Sequence, residues 1–120
     1  MLDSCCSSFE EVNGNFAAHA FYYRGLFRAW KGEWSSCILD LDLSIDKSED
    51  NYPKFFYLRA LAWASVQNYK QAISDCSVAL EIDPNDSISY VLRARCLQID
   101  GDPSLAFNDL QAFIGTVIVI

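Results

Sequence analysis

Three arginines and three aspartates recur in step along this chain. Arg24, Arg59 and Arg93 stand 35 and then 34 residues apart, and Asp40, Asp75 and Asp109 keep the same spacing. A planar guanidinium suits a partly buried carboxylate, because its fork of N–H groups matches the two oxygens. The repetition therefore predicts structural ion pairs, within or between repeated units. The competing reading is a ligand-binding role for all three arginines, and structural pairing is the preferred one. On that reading, loss of one arginine weakens the fold without abolishing partner binding.

Other residues that could do chemistry fall away one by one. Asp40, Asp42 and Asp46 are spaced like the start of a calcium loop, but Ile45 stands where the turn needs glycine and Asn51 where the bidentate Glu belongs. The segment reads better as the acidic face of a helix. His19 is the single histidine and has no paired ligand at zinc-site spacing, so a zinc site is not expected. There is no phosphate-cradling glycine loop and no nucleophile elbow. Asn85-Asp86-Ser87 matches a glycosylation acceptor, which stays unmodified in a cytosolic chain. The five cysteines are an odd number and cannot all pair within the chain. Cys37, Cys76 and Cys96 sit among apolar neighbours and read as small buried hydrophobes. Cys5 and Cys6 are adjacent and are expected to be exposed. No metal, cofactor or catalytic residue is assigned, and the chain is expected to be non-enzymatic.

Bulk composition narrows the partners. With 120 residues the chain is one small domain or a piece of a larger array, and an apolar fraction of 52% is ample for a folded core. A net charge of −7 opposes binding to nucleic acid, which needs clustered Lys and Arg, and to anionic membranes. The longest aliphatic run, Val117-Ile118-Val119-Ile120, is too short to span a bilayer. The first residues lack the basic and apolar regions of a signal peptide. A cytoplasmic or nuclear location is expected.

The elements that must position the charged columns repeat with them. Phe21-Tyr22-Tyr23-Arg24-Gly25, Phe56-Tyr57-Leu58-Arg59-Ala60 and Tyr90-Val91-Leu92-Arg93-Ala94 are three copies of one segment. Cys37, Ala72 and Ala106 form another column. A fixed period of this length means stacked units, none able to bury its apolar face alone. Each period holds two helical patterns and a break. The first helix of the chain is predicted at about 18–31, apolar nearly all round. The second helices are predicted at 35–47, 70–82 and 104–116. The breaks fall at Gly32-Glu33-Trp34, Gln67-Asn68-Tyr69 and Gly101-Asp102-Pro103, where Gly or Asn tolerates the left-handed conformation that ends a helix. Asn68 and Asp102 are expected caps, Asn51 another ahead of Pro53, and Asp83-Pro84-Asn85-Asp86 a strong stop. Small residues at 25, 60 and 94 should face those at 37, 72 and 106, letting paired helices approach closely.

Three hairpins of this period resemble the tetratricopeptide repeat, over roughly residues 18–116. The resemblance is plainest in the middle copy: Phe56, Ala60, Trp63, Tyr69, Ala72, Ile73, Ala79 and Pro84. Tyr90, Ala94, Leu97, Gly101, Ala106 and Leu110 carry it in the third copy, and Phe21, Gly25, Gly32, Trp34 and Leu41 in the first. Departures are Arg28 at an aromatic slot, Cys37 and Ser44 at alanine slots, Glu49 at the proline slot, and Phe113 at an alanine slot. Phe113 would crowd a close helix contact, so the third unit is expected to be distorted or to end differently. The resemblance implies an all-α fold, a right-handed superhelical solenoid of antiparallel helical hairpins. The repeats run at about 18–51, 53–86 and 87–120, and residues 1–17 form an N-terminal extension or cap using Phe9, Val12 and Phe16.

The resemblance also implies a function. In that family the first helix of each unit lines a concave groove that binds a protein or peptide. By position the groove would draw on Tyr22, Tyr23, Leu26 and Trp30, with His19 beside them. The second unit would add Lys54, Tyr57 and Leu61 with Leu58 and Ser65, and the third Arg95 and Ile99 with Ile88, Val91 and Leu92. Aromatic anchors of this kind are typical of binding hot spots. The subgroup that holds chaperone tails by their carboxylates uses Lys, Asn and Arg. Tyr22, Leu26, Leu58, Ile88 and Leu92 stand at those positions and cannot supply such contacts, so an apolar helix or extended segment is the expected ligand. The alternative is a structural subunit that self-associates through the uncapped third repeat, by Phe107, Leu110, Phe113 and Ile114. A longer array, or a tail from Gly115 to Ile120 folding back over that face, would cover it equally well.

Overall fold

The computed structural model describes residues 14–117, which form six α-helices joined by short turns. The chain divides into two compact units, Met1–Asn51 and Tyr52–Ile120. Phe9, Val12, Cys5, Cys6 and the tail beyond residue 117 lie outside the described residues.

The first unit is one helical hairpin, α1 (Gly14–Trp30) and α2 (Trp34–Lys47). α1 is already helical at Gly14, the first described residue and four residues before the predicted boundary. Asn15 ties this part of α1 to the residues that follow α2. Its Nδ2 donates to Asp50 Oδ2 at 2.9 Å, and its Oδ1 accepts from the Glu49 N–H at 3.0 Å and from Ser48 Oγ at 3.3 Å. The hairpin turn is built on Gly32, at φ +81°. The Gly32 N–H reaches the Ala29 carbonyl at 3.0 Å and the Glu33 N–H the Arg28 carbonyl at 2.8 Å. These two bonds are the Schellman arrangement, which satisfies the last carbonyls of a helix. Gly25 then lets the helices close: a Cβ there would stand 2.6 Å from Leu41 Cδ2 and 3.2 Å from Asp40 Cβ.

The second unit holds two hairpins. α3 (Pro53–Ser65) pairs with α4 (Tyr69–Ile82), and α5 (Ser87–Asp100) with α6 (Pro103–Val117). α4 also packs on α5, and α3 touches α5. The small columns meet as the sequence predicts. Ala60, Ala72, Cys76 and Cys96 form one buried cluster, and Ala94, Leu97 and Ala106 another. Side chains this small bring helix axes together, and Trp63, Tyr69, Ile73 and Leu92 close over the first cluster. Phe55 is the largest fully buried side chain of the unit.

Three local expectations are corrected. The residue before α3 is Tyr52, in extended conformation and without a side-chain cap, so Asn51 does not cap; Pro53, with no N–H to satisfy, opens the helix instead. In the second turn Gln67, not Asn68, takes the left-handed conformation, at φ +67°. Its N–H bonds to the Ala64 carbonyl at 3.0 Å and that of Asn68 to the Trp63 carbonyl at 2.8 Å, the same Schellman pair as in the first hairpin. Asn68 is left free to cap α4, its side chain accepting from the Gln71 N–H at 3.4 Å. In the third turn Gly101 sits at φ −151°, so its role is not left-handed geometry. A Cβ there would come within 2.9 Å of Leu97 Cδ2 and 3.2 Å of the Leu97 backbone. Asp102 behaves as expected and accepts from the Ser104 N–H at 2.8 Å. α6 is helical over Pro103–Val117, so Phe113 does not break it; how the third unit ends lies outside the described residues.

Candidate functional site

The charged columns pair within each hairpin, and the three pairs are not identical. Arg59 and Arg93 grip their aspartates two-handed: Nε and NH2 of Arg59 lie 2.9 Å from the two oxygens of Asp75, and those of Arg93 2.7 Å from the two oxygens of Asp109. Arg93 also donates to Ser77 Oγ at 3.0 Å. Arg24 instead puts both nitrogens on one oxygen of Asp40, at 3.1 and 2.7 Å. The other oxygen faces Arg28, whose Nε is 3.0 Å away. That contact is misaligned for a hydrogen bond, so Asp40 Oδ2 is held by charge alone. Arg28, out of pattern in the sequence, thus has a structural partner. The hydrogen bond from Arg93 to Asp109, more than any other effect, raises the Arg93 pKa, and the bond from Arg24 to Asp40 does the same for Arg24.

Each paired arginine also lies over the aromatic ring three residues before it. The guanidinium carbons are 5.3, 5.7 and 6.0 Å from the ring centres of Phe21, Phe56 and Tyr90. Stacking on a ring face explains why an aromatic travels with the arginine in every copy. The spacing was visible in the sequence, but the stacking was not. Three guanidiniums committed to carboxylates and rings are structural groups, which leaves the apolar surfaces as candidate sites.

The second unit contains an apolar pocket of about 340 Å³ lined by Tyr57, Ile88, Val91, Leu92, Arg95 and Phe113. Ile88, Val91, Leu92 and Arg95 follow a three-four-seven spacing, so they form one stripe of α5. Tyr57 comes from α3 and Phe113 from α6. The structure therefore brings together Tyr57 and Arg95 from the expected groove, along with Ile88, Val91 and Leu92. Lys54, Leu61 and Ile99 do not line this pocket; Ile99 is exposed, and the Lys54 ammonium lies 5.9 Å from the Tyr52 ring centre. Leu58 is not a groove residue: at 3% exposure it belongs to the core.

Phe113 is the larger correction. Expected on an exposed self-association face, it is half-buried and turned into the pocket. The reason is helical geometry. Phe107 and Ile114 share one face of α6, with Leu110 at its edge, and Phe113 lies about 100° round the helix from Ile114, on the far side of Leu110. Of the expected face only Phe107 (60%) and Ile114 (50%) are exposed, while Leu110 packs against the Ala94–Leu97–Ala106 cluster. A second cavity, of about 270 Å³, lies over the Arg93–Asp109 pair and is lined by Ile73, Ser77, Leu97, Leu105 and Asn108 as well.

In the first unit Tyr23, Leu26 and Trp30 are exposed, Trp30 at 82%, and Tyr22 is half-buried with its ring 5.2 Å from that of Tyr23. Burial raises the Tyr22 hydroxyl pKa, and the neighbouring Tyr23 adds to it. The sequence reading missed Phe27, which is exposed and stacked on Trp30 with ring centres 6.1 Å apart. Tyr23, Phe27 and Trp30 fall at helical spacing along one stripe, the signal that could have found it. His19 turns back to its own helix, Nδ1 lying 2.7 Å from the Asn15 carbonyl.

The buried thiols are inert at neutral pH. Burial, then the charge of Asp40, pushes the Cys37 thiol up to about 11. Cys76 and Cys96 are raised for the same first reason.

No protein-family model matches the chain, and no curated protein matches it. Its fold is found among solved structures. The second TPR of Spaghetti (RPAP3), bound to HSP90 peptide SRMEEVD, superposes with a TM-score of 0.80 at 21% identity, over 83% of this chain and 92% of that one. The Arabidopsis OM64 TPR domain gives 0.83 at 17% identity, over 86% and 84%. PcrH in complex with the chaperone binding region of PopB gives 0.78 at 17%, over 82% and 79%. Six helices paired as three hairpins, with small residues at each crossing and this superposition, give the chain the fold of a tetratricopeptide-repeat (TPR) domain.

Proposed function

We propose that this chain is a non-enzymatic protein–protein interaction module that binds an apolar peptide or helix. The observation that carries the reading is the pocket walled by Tyr57, Ile88, Val91, Leu92 and Phe113, where aromatic and aliphatic side chains converge on a concave surface. Burial of apolar area there would supply the binding free energy. Two of the solved structures with this fold hold a peptide or a partner segment, which supports the same class of function. Nothing in the pocket provides the several cations that an acidic tail would need. The net charge of −7 further disfavours nucleic acid or an anionic membrane as partner. Among the described residues no helix is long and apolar enough to cross a membrane. Buried, protonated thiols at Cys37, Cys76 and Cys96 suit a cytoplasmic or nuclear setting.

The test is fluorescence anisotropy with two labelled peptides, an amphipathic helix with a Leu and Phe stripe and the acidic tail SRMEEVD. The apolar peptide is expected to bind, and Tyr57→Ala to weaken it at least about fivefold with the melting temperature little changed. Tight binding of the acidic tail, indifferent to Tyr57→Ala, would sink the proposal. A second reading, self-association, is favoured by one observation: exposed Phe107 and Ile114 on a helix whose single charged residue, Asp109, is buried.

A further inference from the structure

The pocket of the second unit has a feature that apolar burial alone does not use. Arg95 is its single charged lining residue, on the same α5 stripe as Ile88, Val91 and Leu92 and open to solvent. Its counterpart at the far side, Phe113, stands where the other two copies carry small side chains. Ser44 and Ala79 occupy the matching positions, and both are fully buried. A phenylalanine cannot fit that close-packed slot, so it extends into the pocket and forms a wall the other hairpins lack.

We infer that the pocket reads a two-part signal in a partner protein segment: one large apolar side chain seated against Tyr57, Val91 and Phe113, and one carboxylate paired with Arg95. This deepens the proposed function and rests on it. The volume of about 340 Å³ is on the scale of one or two large side chains, too small for an extended aromatic cluster. Charge complementarity selects the second part. A guanidinium beside an apolar wall loses water when a ligand covers it, and a carboxylate compensates through charge-assisted hydrogen bonds. The rest of the molecule sets the limit. With a net charge of −7 the chain repels a strongly acidic ligand, so a single carboxylate fits where a run of them does not. Lysine in the ligand would face Arg95 directly and is disfavoured by like charge. Phe113 supplies shape and Arg95 supplies orientation, which is why neither residue alone defines the ligand.

The experiment uses the full chain and three synthetic amphipathic helical peptides that differ at one position, Glu, Gln or Lys, one turn from a Phe anchor. Anisotropy titrations are run at low and high salt. For the wild type the Glu peptide is expected to bind about tenfold more tightly than the Lys peptide at low salt, with the gap shrinking at high salt. Arg95→Glu is expected to invert that order. Phe113→Ala, which restores the small residue of the other copies, is expected to weaken all three peptides at least about fivefold while circular dichroism and melting stay unchanged. If the wild type binds all three peptides equally, or Arg95→Glu leaves their order intact, the two-part signal is overturned while the groove reading stands. If Phe113→Ala binds like the wild type, the anchor seat is overturned. If the wild type binds none of them, the groove reading itself fails and takes this inference with it.

Discussion

Asp40 faces two arginines where Asp75 and Asp109 each face one. Removing a partner from a buried carboxylate leaves an uncompensated charge, which costs more than the pair itself contributes. Arg59→Leu should therefore lower stability by about 2–4 kcal/mol in urea melts, with the fold retained and peptide binding intact. Arg24→Leu should cost clearly less, because Arg28 still faces Asp40. Equal losses in the two variants would show that Arg28 contributes nothing. Cys37 makes a pH prediction. Its thiol is raised from 9.0 to about 11 in the folded chain. Below pH 9 both states are protonated. Between about 9 and 11 only the unfolded chain ionises, so stability falls as pH rises through that window, by up to about 1.4 kcal/mol per pH unit for one site. Urea melts from pH 7.5 to 10.5 should show a shallower decline for Cys37→Ala than for wild type. Alanine is tolerated at the matching positions Ala72 and Ala106, which makes the variant a fair comparison.

The two Schellman turns place different residues in the left-handed conformation, glycine at 32 and glutamine at 67, with φ of +81° and +67°. A side chain in the left-handed region pays a steric cost that glycine does not. Gln67→Gly should therefore stabilise the second unit by about 0.5–1 kcal/mol, read as a raised urea midpoint with unchanged slope. A fall in midpoint would mean that the gain is outweighed by the extra freedom glycine gives the unfolded chain. Element boundaries and most of the packing were legible in the sequence because the repeat tied them together. Gly25, Ala60 and Ala94 could be set against Cys37, Ala72 and Ala106 from spacing alone. Caps were less legible. Asn51 and Asn68 both look like caps, and only the hydrogen bonds distinguish Asn68, which caps, from Asn51, which gives way to Pro53.

Across the molecule, charge is distributed unevenly. The chain carries −7, yet α6 has no charge outside the buried Asp109. A neutral apolar face escapes the mutual repulsion that the rest of the surface imposes, so it is the surface through which two copies could meet. If it does so, light scattering on a sizing column should show mass rising with concentration, and Phe107→Glu with Ile114→Lys should return the chain to a monomer. A concentration-independent monomer would remove self-association and leave the pocket as the working surface. Because Phe113 lines the pocket instead of that face, the Phe107 and Ile114 changes should spare peptide binding.

The sequence by itself determined the all-α hairpin architecture, its period, its ion pairs and its small-residue crossings, because each of these is written three times at fixed spacing. Only the tertiary structure decided what stands once. It turned Phe113 into the pocket, buried Leu58, gave Arg28 to Asp40 and left Phe27 exposed. Repetition lets one copy explain another, whereas a residue that departs from the pattern is placed by the neighbours around it, and those are known only when the helices are packed.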